Sequence, residues 1–153
     1  RIRTNSEDKI DFDNISRGKK IHNILMYIKN INQIDRGVNL SISKNIISKS
    51  EKNYFLDMIK EILQNPKVKP FFDSNLESYN EIEIINKNGN ISRLDRIVEM
   101  KDKSINIIDY KTGTEKDEDI LQVENYKNTL KEIEDKNINA YLIYIDLNKI
   151  VKV

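Results

Sequence analysis

Residues 81–113 read EIEIINKNGNISRLDRIVEMKDKSINIIDYKTG, and this stretch decides the fold. From Tyr79 onward apolar and polar residues alternate, the period of a strand with one face buried. Two clusters of turn formers break the alternation, NKNGN at 86–90 and MKDKS at 100–104. The stretch therefore predicts three strands joined by two hairpins.

The period changes on both sides of it. After Gly113, Ile120, Val123, Tyr126, Leu130 and Ile133 recur at helical spacing and predict a helix that buries all five. INAYLIYIDL at 138–147 then predicts a buried strand, and NKIVKV at 148–153 a last short one. Upstream, Ser50 precedes a helix whose stripe is Phe55, Met58, Ile59, Ile62 and Leu63, ended by Pro66 and Pro70. Residues 31–42, with Gly37 among them, read as a loop. An earlier helix, capped by Asp13 or Asn14, buries Ile21, Ile24, Leu25 and Ile28 with His22 on the stripe's margin. Residues 1–13 read as a polar loop or an edge strand. Helix, helix, three strands, helix and strand, with no repeat and no linker, predict one α/β domain over residues 1–153.

Composition narrows the chemistry. With 26 Lys and Arg against 25 Asp and Glu, no global field marks a nucleic-acid binder, so any such contact is local. The hydrophobic fraction of 38% places the chain above the disordered class. Absence of cysteine excludes disulfides, thiolate zinc sites and iron–sulfur clusters, and fits a reducing cytoplasm. A metal would have to be held by oxygen and imidazole. No apolar run approaches a membrane span, so no membrane partner is expected. The start, RIRTNSEDKIDF, lacks an initiator Met and leads us to expect a piece of a longer protein.

The hairpins place acids together. A second hairpin centred on Asp102 sets Asp95 directly opposite Asp109, both pointing to one face, with Lys111 on the same face two residues on. A first hairpin centred on Asn88 brings Glu81 opposite Asp95, while a type I′ turn at Asn88-Gly89 would move that centre by half a residue. Opposed carboxylates repel unless a cation or a proton lies between them. A divalent ion resolves the conflict, and oxygen ligands suit Mg²⁺ or Mn²⁺, which polarises a phosphate and lowers the pKa of a bound water. An alternating strand face also collects charge with no site at all, as ladders among Glu83, Arg93 and Lys111.

The segment IIDYKTG, preceded by RLDRIV and followed by a helix bearing Gln122 and Tyr126, resembles the RecB-like branch of the PD-(D/E)XK nuclease superfamily. That family shows Gly-x-h-Asp-Arg, then Asp-Tyr-Lys-Thr-Gly, then Gln-x-x-x-Tyr. Asp95 falls in the first motif, Asp109 and Lys111 in the second, Gln122 and Tyr126 in the third. Gly18 and His22 match the family's Gly-x-x-x-His, whose His is a further metal ligand. Ser92 departs from the Gly that many members have before the first Asp.

The resemblance implies a restriction-endonuclease-like core, a mixed central sheet flanked by helices. It implies a Mg²⁺ or Mn²⁺ site held by His22, Asp95, Asp109 and the Tyr110 carbonyl. Lys111 would position or activate the nucleophile, and Glu81, or failing it Glu83, would assist. Gln122 and Tyr126 would support the substrate, and Arg93 and Arg96 are candidate phosphate contacts. Late residues, AYLIYIDLNKIVKV at 140–153, look most like the terminal nuclease domain of UvrD/RecB-type helicase–nucleases. The implied function is therefore exonucleolytic processing of single-stranded DNA ends in repair, beside a helicase domain in the same chain or a helicase subunit. The rival readings are a structure-specific endonuclease on the same metal core and an inactive nuclease fold serving as a DNA-binding scaffold.

Overall fold

The computed structural model describes residues 6–153. The chain is an α/β domain built on a mixed five-stranded sheet flanked by helices. Helices α1 (Ser6–Met26), α2 (Ile34–Ser43) and α3 (Lys52–Gln64) precede strands β1 (Glu77–Ile85), β2 (Ile91–Glu99) and β3 (Ile105–Lys111). Helix α4 (Asp117–Ile133) and strands β4 (Ile138–Tyr144) and β5 (Lys149–Lys152) complete the chain. The sheet order is β1-β2-β3-β4-β5, antiparallel except between β3 and β4, which run parallel with α4 as the crossover. None of the described helices is long and apolar enough to cross a membrane.

Strand alternation divides the core into two layers. On one face Val98, Ile108, Tyr110 and Ile143 pack with Ile21, Ile24, Leu25 and Ile28 of α1 and Phe55, Ile59 and Leu63 of α3. On the other Ile97, Ile107, Ala140 and Leu142 pack with Val123 and Leu130 of α4. Neighbours such as Ile107 and Ile108 thus belong to different layers, as a two-residue period requires.

Three expectations are corrected. Helix α1 is continuous from Ser6, so residues 6–13 are neither loop nor edge strand, and residues 1–5 lie outside the described residues. Residues 31–42 are not a loop: a short 3-10 turn, Ile31–Gln33, leads into α2. The buried face of α2 is Ile34, Gly37, Val38 and Ser41, an i, i+3, i+4, i+7 stripe in which Gly37 is a helix residue and not a loop former. Finally, α4 buries Val123 and Leu130 in its middle turns but leaves Ile120 and Ile133, near its two ends, exposed at 39% and 54%, with Tyr126 half-buried.

Gly37 shows why small residues were needed on α2. A Cβ there would meet Cγ1 of the fully buried Ile28 at 2.5 Å. Alanine would gain about 1 kcal/mol of helix propensity, but forcing a core side chain aside costs about 1–3 kcal/mol. Gly37→Ala is expected to lower the urea midpoint, and an unchanged or higher midpoint would show that α1 and α2 separate freely.

Both hairpins keep the expected register. Asn80 pairs with Arg96 and Ile82 with Leu94, the Asn88-centred arrangement, and Arg96 pairs with Ile108, the Asp102-centred one. The ladders break, however, at the acids themselves. Glu81 has a left-handed backbone at φ 55°, and neither Glu81–Asp95 nor Asp95–Asp109 is a ladder pair. Sidedness changes there too: Asn80 and Arg96 reach α1, whereas Ile82 and Leu94, the paired residues on the other side of Glu81 and Asp95, pack in the α4 layer. The break opens a gap between β2 and β3 at the end of the sheet, beside α1.

Candidate active site

Asp95 fills that gap with its own carboxylate. Its Oδ2 accepts the backbone N–H of Tyr110 at 2.8 Å, taking the place of the missing ladder partner, and lies 3.3 Å from Nε2 of His22. The expected row of acids is therefore a cluster bound to backbone rather than a flat ladder.

His22 comes from α1. Its Nδ1 is 2.9 Å from the Gly18 carbonyl oxygen and its Nε2 is 3.0 Å from the Tyr110 carbonyl oxygen. Two acceptors on one ring require both nitrogens to donate, the imidazolium form. Burial opposes that charge, but the hydrogen bond and charge of Asp95, the Gly18 carbonyl and Asp109 outweigh it and raise His22 to about 9. Close approach of α1 makes the contact: a Cβ on Gly18 would lie 3.1 Å from Thr112 Oγ1, just past Lys111.

Asp109 is buried, 4% exposed. Burial first, then the charge of Asp95, push its carboxyl up to about 6 against the opposing pull of Lys111 and His22. Lys111 Nζ stands 3.0 Å from Asp109 Oδ2, close enough for an ion pair. Its direction does not satisfy that oxygen as a hydrogen bond, so Oδ2 is a buried acceptor with no donor. The ammonium instead donates to Oε1 of Gln122 at 2.5 Å, which brings α4 to the site. Half-buried Tyr126, one turn on, has its phenol raised by burial and by the charges of Asp109 and Asp95.

Glu81 also belongs to the cluster. Burial and then the Asp95 charge raise its carboxyl, while Arg93, 2.7 Å away, lowers it. Glu83 is exposed, and its cross-strand neighbour Arg93 is committed to Glu81. Arg93 itself remains mostly exposed. Arg96 is the clear correction: it is fully buried on the α1 side, so it cannot be a phosphate contact.

No protein-family model and no curated protein sequence matches this chain. Among the described residues no group of three or more His, Asp or Glu stands as a ready metal cage. Asp95 is turned onto the Tyr110 N–H, and the Lys111 ammonium lies against Asp109. The chemistry of the donors nevertheless suits a hard divalent ion: the His22 imidazole, the Asp95 carboxylate and the Tyr110 carbonyl oxygen lie together, and buried Asp109, whose Oδ2 has no hydrogen-bond partner, is near enough to feel the charges of Asp95 and His22.

Beside His22 opens a cleft of about 910 Å³ lined by Arg17, Lys19, Asn23, Thr112 and Lys116. The residues that hold its walls together were not foreseen. Arg17 on α1 donates through both Nη atoms to Asp146, which also accepts the N–H of Gly113 at 2.7 Å. No local pattern marks Asp146; only the turn after β4 brings it to α1. Its carboxyl is lowered chiefly by the Arg17 hydrogen bond, opposed by burial and helped by Gly113.

A lowered carboxyl stabilises the fold above its ordinary pKa and loses that contribution as pH falls through the folded value. Asp146→Asn is therefore expected to lower stability at pH 7 by about 1 kcal/mol, discounted because both side chains are about a quarter exposed. The gap between the two thermal melts should begin to close only as pH falls below the ordinary carboxyl value of 3.8, and vanish once the lowered folded value has been passed. A gap that persisted in acid would assign the loss to packing.

Proposed function

We propose that this chain is a divalent-metal-dependent DNA nuclease with the PD-(D/E)XK core, hydrolysing phosphodiester bonds. The observation that carries the reading is His22. Its Nε2–H points at the Tyr110 carbonyl and lies against Asp95, with the Asp109 charge also acting on the ring. A proton there does the work of a cation, holding together oxygens that would otherwise repel.

His22, Asp95, Asp109 and the Tyr110 carbonyl would hold Mg²⁺ or Mn²⁺. When bound, such an ion supplies Lewis acidity toward a phosphate oxygen and a water molecule. Lys111, steered by Asp109 and Gln122, orients the nucleophilic water and offsets charge developing on the phosphate. Glu81, whose carboxyl is raised, would accept the proton the water gives up as it adds to phosphorus, while the ester P–O bond breaks and the leaving oxygen takes a proton from solvent. Gln122 and Tyr126 line the α4 side, and exposed Arg93 is a candidate phosphate contact. The sequence resemblance supports exonucleolytic trimming of single-stranded ends in cytoplasmic DNA repair, with a helicase in the same chain or as a partner.

Calorimetric Mn²⁺ titration, repeated in buffers of different ionisation enthalpy, tests the reading together with cleavage of labelled single-stranded DNA. Binding accompanied by proton release from His22, and cleavage that needs the metal, are expected. If millimolar Mn²⁺ produced neither binding nor cleavage, the scaffold reading would take over.

A further inference from the structure

Arg96 poses a problem that the metal site does not use. Its guanidinium is fully buried, and its charge meets no carboxylate among the described residues. A buried charge without a counter-ion persists only where dipoles replace it. Here the dipoles are carbonyls: Nη2 donates to Lys29 at 2.7 Å and to Phe71 at 2.9 Å, and Nη1 to Ile28 at 3.4 Å. The guanidinium also lies over the Phe72 ring, 4.1 Å from its centroid.

Asn80, the cross-strand partner of Arg96, completes the arrangement. Its Nδ2 donates to the carbonyls of Met26 and Ile28, each at 3.0 Å, and its Oδ1 accepts from Arg96 Nη1 at 3.1 Å. These carbonyls belong to the last turn of α1 and the segment leaving it. The Met26 carbonyl is one of the acceptors a helix leaves without partners, and the Ile28 and Lys29 carbonyls extend that cluster just past the helix end, where the dipole favours a cation. Strands β1 and β2 thus cap α1 from outside the helix.

We propose that Arg96, with Asn80, is a positioning residue for His22, fixing the end of α1 to β2 at the residue adjacent to Asp95. His22 lies one turn before the capped end, and Asp95 one peptide from the guanidinium that caps it. The 3.3 Å separation of His22 Nε2 from Asp95 Oδ2 is thereby set within one rigid unit rather than by two elements packed independently. Ordinary core packing would hold α1 against the sheet but would not fix its rotation and rise to that precision.

The inference deepens the proposed metal site and rests on that reading only in the metal arm of its test. His22 is the sole histidine of the chain, so its imidazole protons form one clean set of NMR signals. In metal-free protein, Asn80→Ala and Arg96→Lys are expected to displace those signals. Val98→Ala, a cavity variant in the same buried layer with a comparable drop in Tm, should leave them in place. Mn²⁺ affinity of the folded protein should fall roughly 10- to 100-fold in the first two and stay within about 2-fold in the third. Ring signals unmoved by Asn80→Ala and Arg96→Lys, beside a lowered Tm, would reduce Arg96 to a structural residue. Should Arg96→Lys fail to fold, Asn80→Ala decides, since it leaves the guanidinium in place. A wild type that bound no Mn²⁺ would sink the metal reading, and the NMR arm would still decide this one.

Discussion

Asp109→Asn is expected to abolish Mn²⁺ binding and DNA cleavage, by about 10³-fold or more in rate, while leaving Tm in metal-free buffer unchanged or higher. The two effects have opposite signs because one feature produces both. The carboxylate is buried beside Asp95, and its carboxyl is raised to about 6. Without a metal ion, and even beside the Lys111 ammonium, that is a charge the folded protein holds at a cost. Folded protein keeps the proton to about pH 6, whereas the unfolded chain releases it near 3.8. Between those values the folded state binds more protons, so on this account stability declines as pH rises. The asparagine variant removes the slope. Melts from pH 4 to pH 7 in EDTA would show the wild-type curve falling relative to the variant. A variant that melted well below wild type at pH 7 would mean that the Lys111 pair outweighs burial and that Asp109 is a structural residue.

Lys111→Ala is expected to separate binding from chemistry. The ammonium touches both Asp109 and Gln122, so it stands in the site without being able to ligate a metal. Its removal should lower the cleavage rate by about 10²- to 10³-fold, the range for losing one preorganised electrostatic group. Mn²⁺ affinity should be retained or tightened severalfold, because a competing cation leaves Asp109. Calorimetry and single-turnover cleavage on the same preparation check both halves. Loss of metal binding together with activity would show that Lys111 acts by holding Asp109 in place, not by meeting substrate.

Reading the strands from the sequence succeeded because their information is local. Alternation over residues 81–111 and turn residues at 86–90 and 100–104 predicted both hairpin centres, the first to within half a residue; Asn80–Arg96 and Arg96–Ile108 are pairs of that register, while Glu81–Asp95 and Asp95–Asp109 are not formed. Helix α2 escaped because Gly37 reads as a loop former, whereas it stands in a buried helical stripe with Ile34, Val38 and Ser41 and is required there by its closeness to Ile28. Arg96 was misplaced for a related reason. An arginine on an alternating strand reads as solvated, and only the end of α1, distant in sequence, supplies the carbonyls that let it be buried.

By itself the sequence determined the α/β class, the three-strand run and the convergence of Asp95, Asp109 and Lys111, since residues a few positions apart on paired strands have little freedom to lie elsewhere. Tertiary structure alone decided what those groups are doing. It broke the ladder at Glu81 and turned Asp95 onto the Tyr110 amide. It brought His22 in from α1 as an imidazolium, and tied Arg17 to Asp146 across most of the chain. Protonation and pairing depend on burial and on charges contributed by distant segments. No local pattern encodes them until the helices have packed on the sheet.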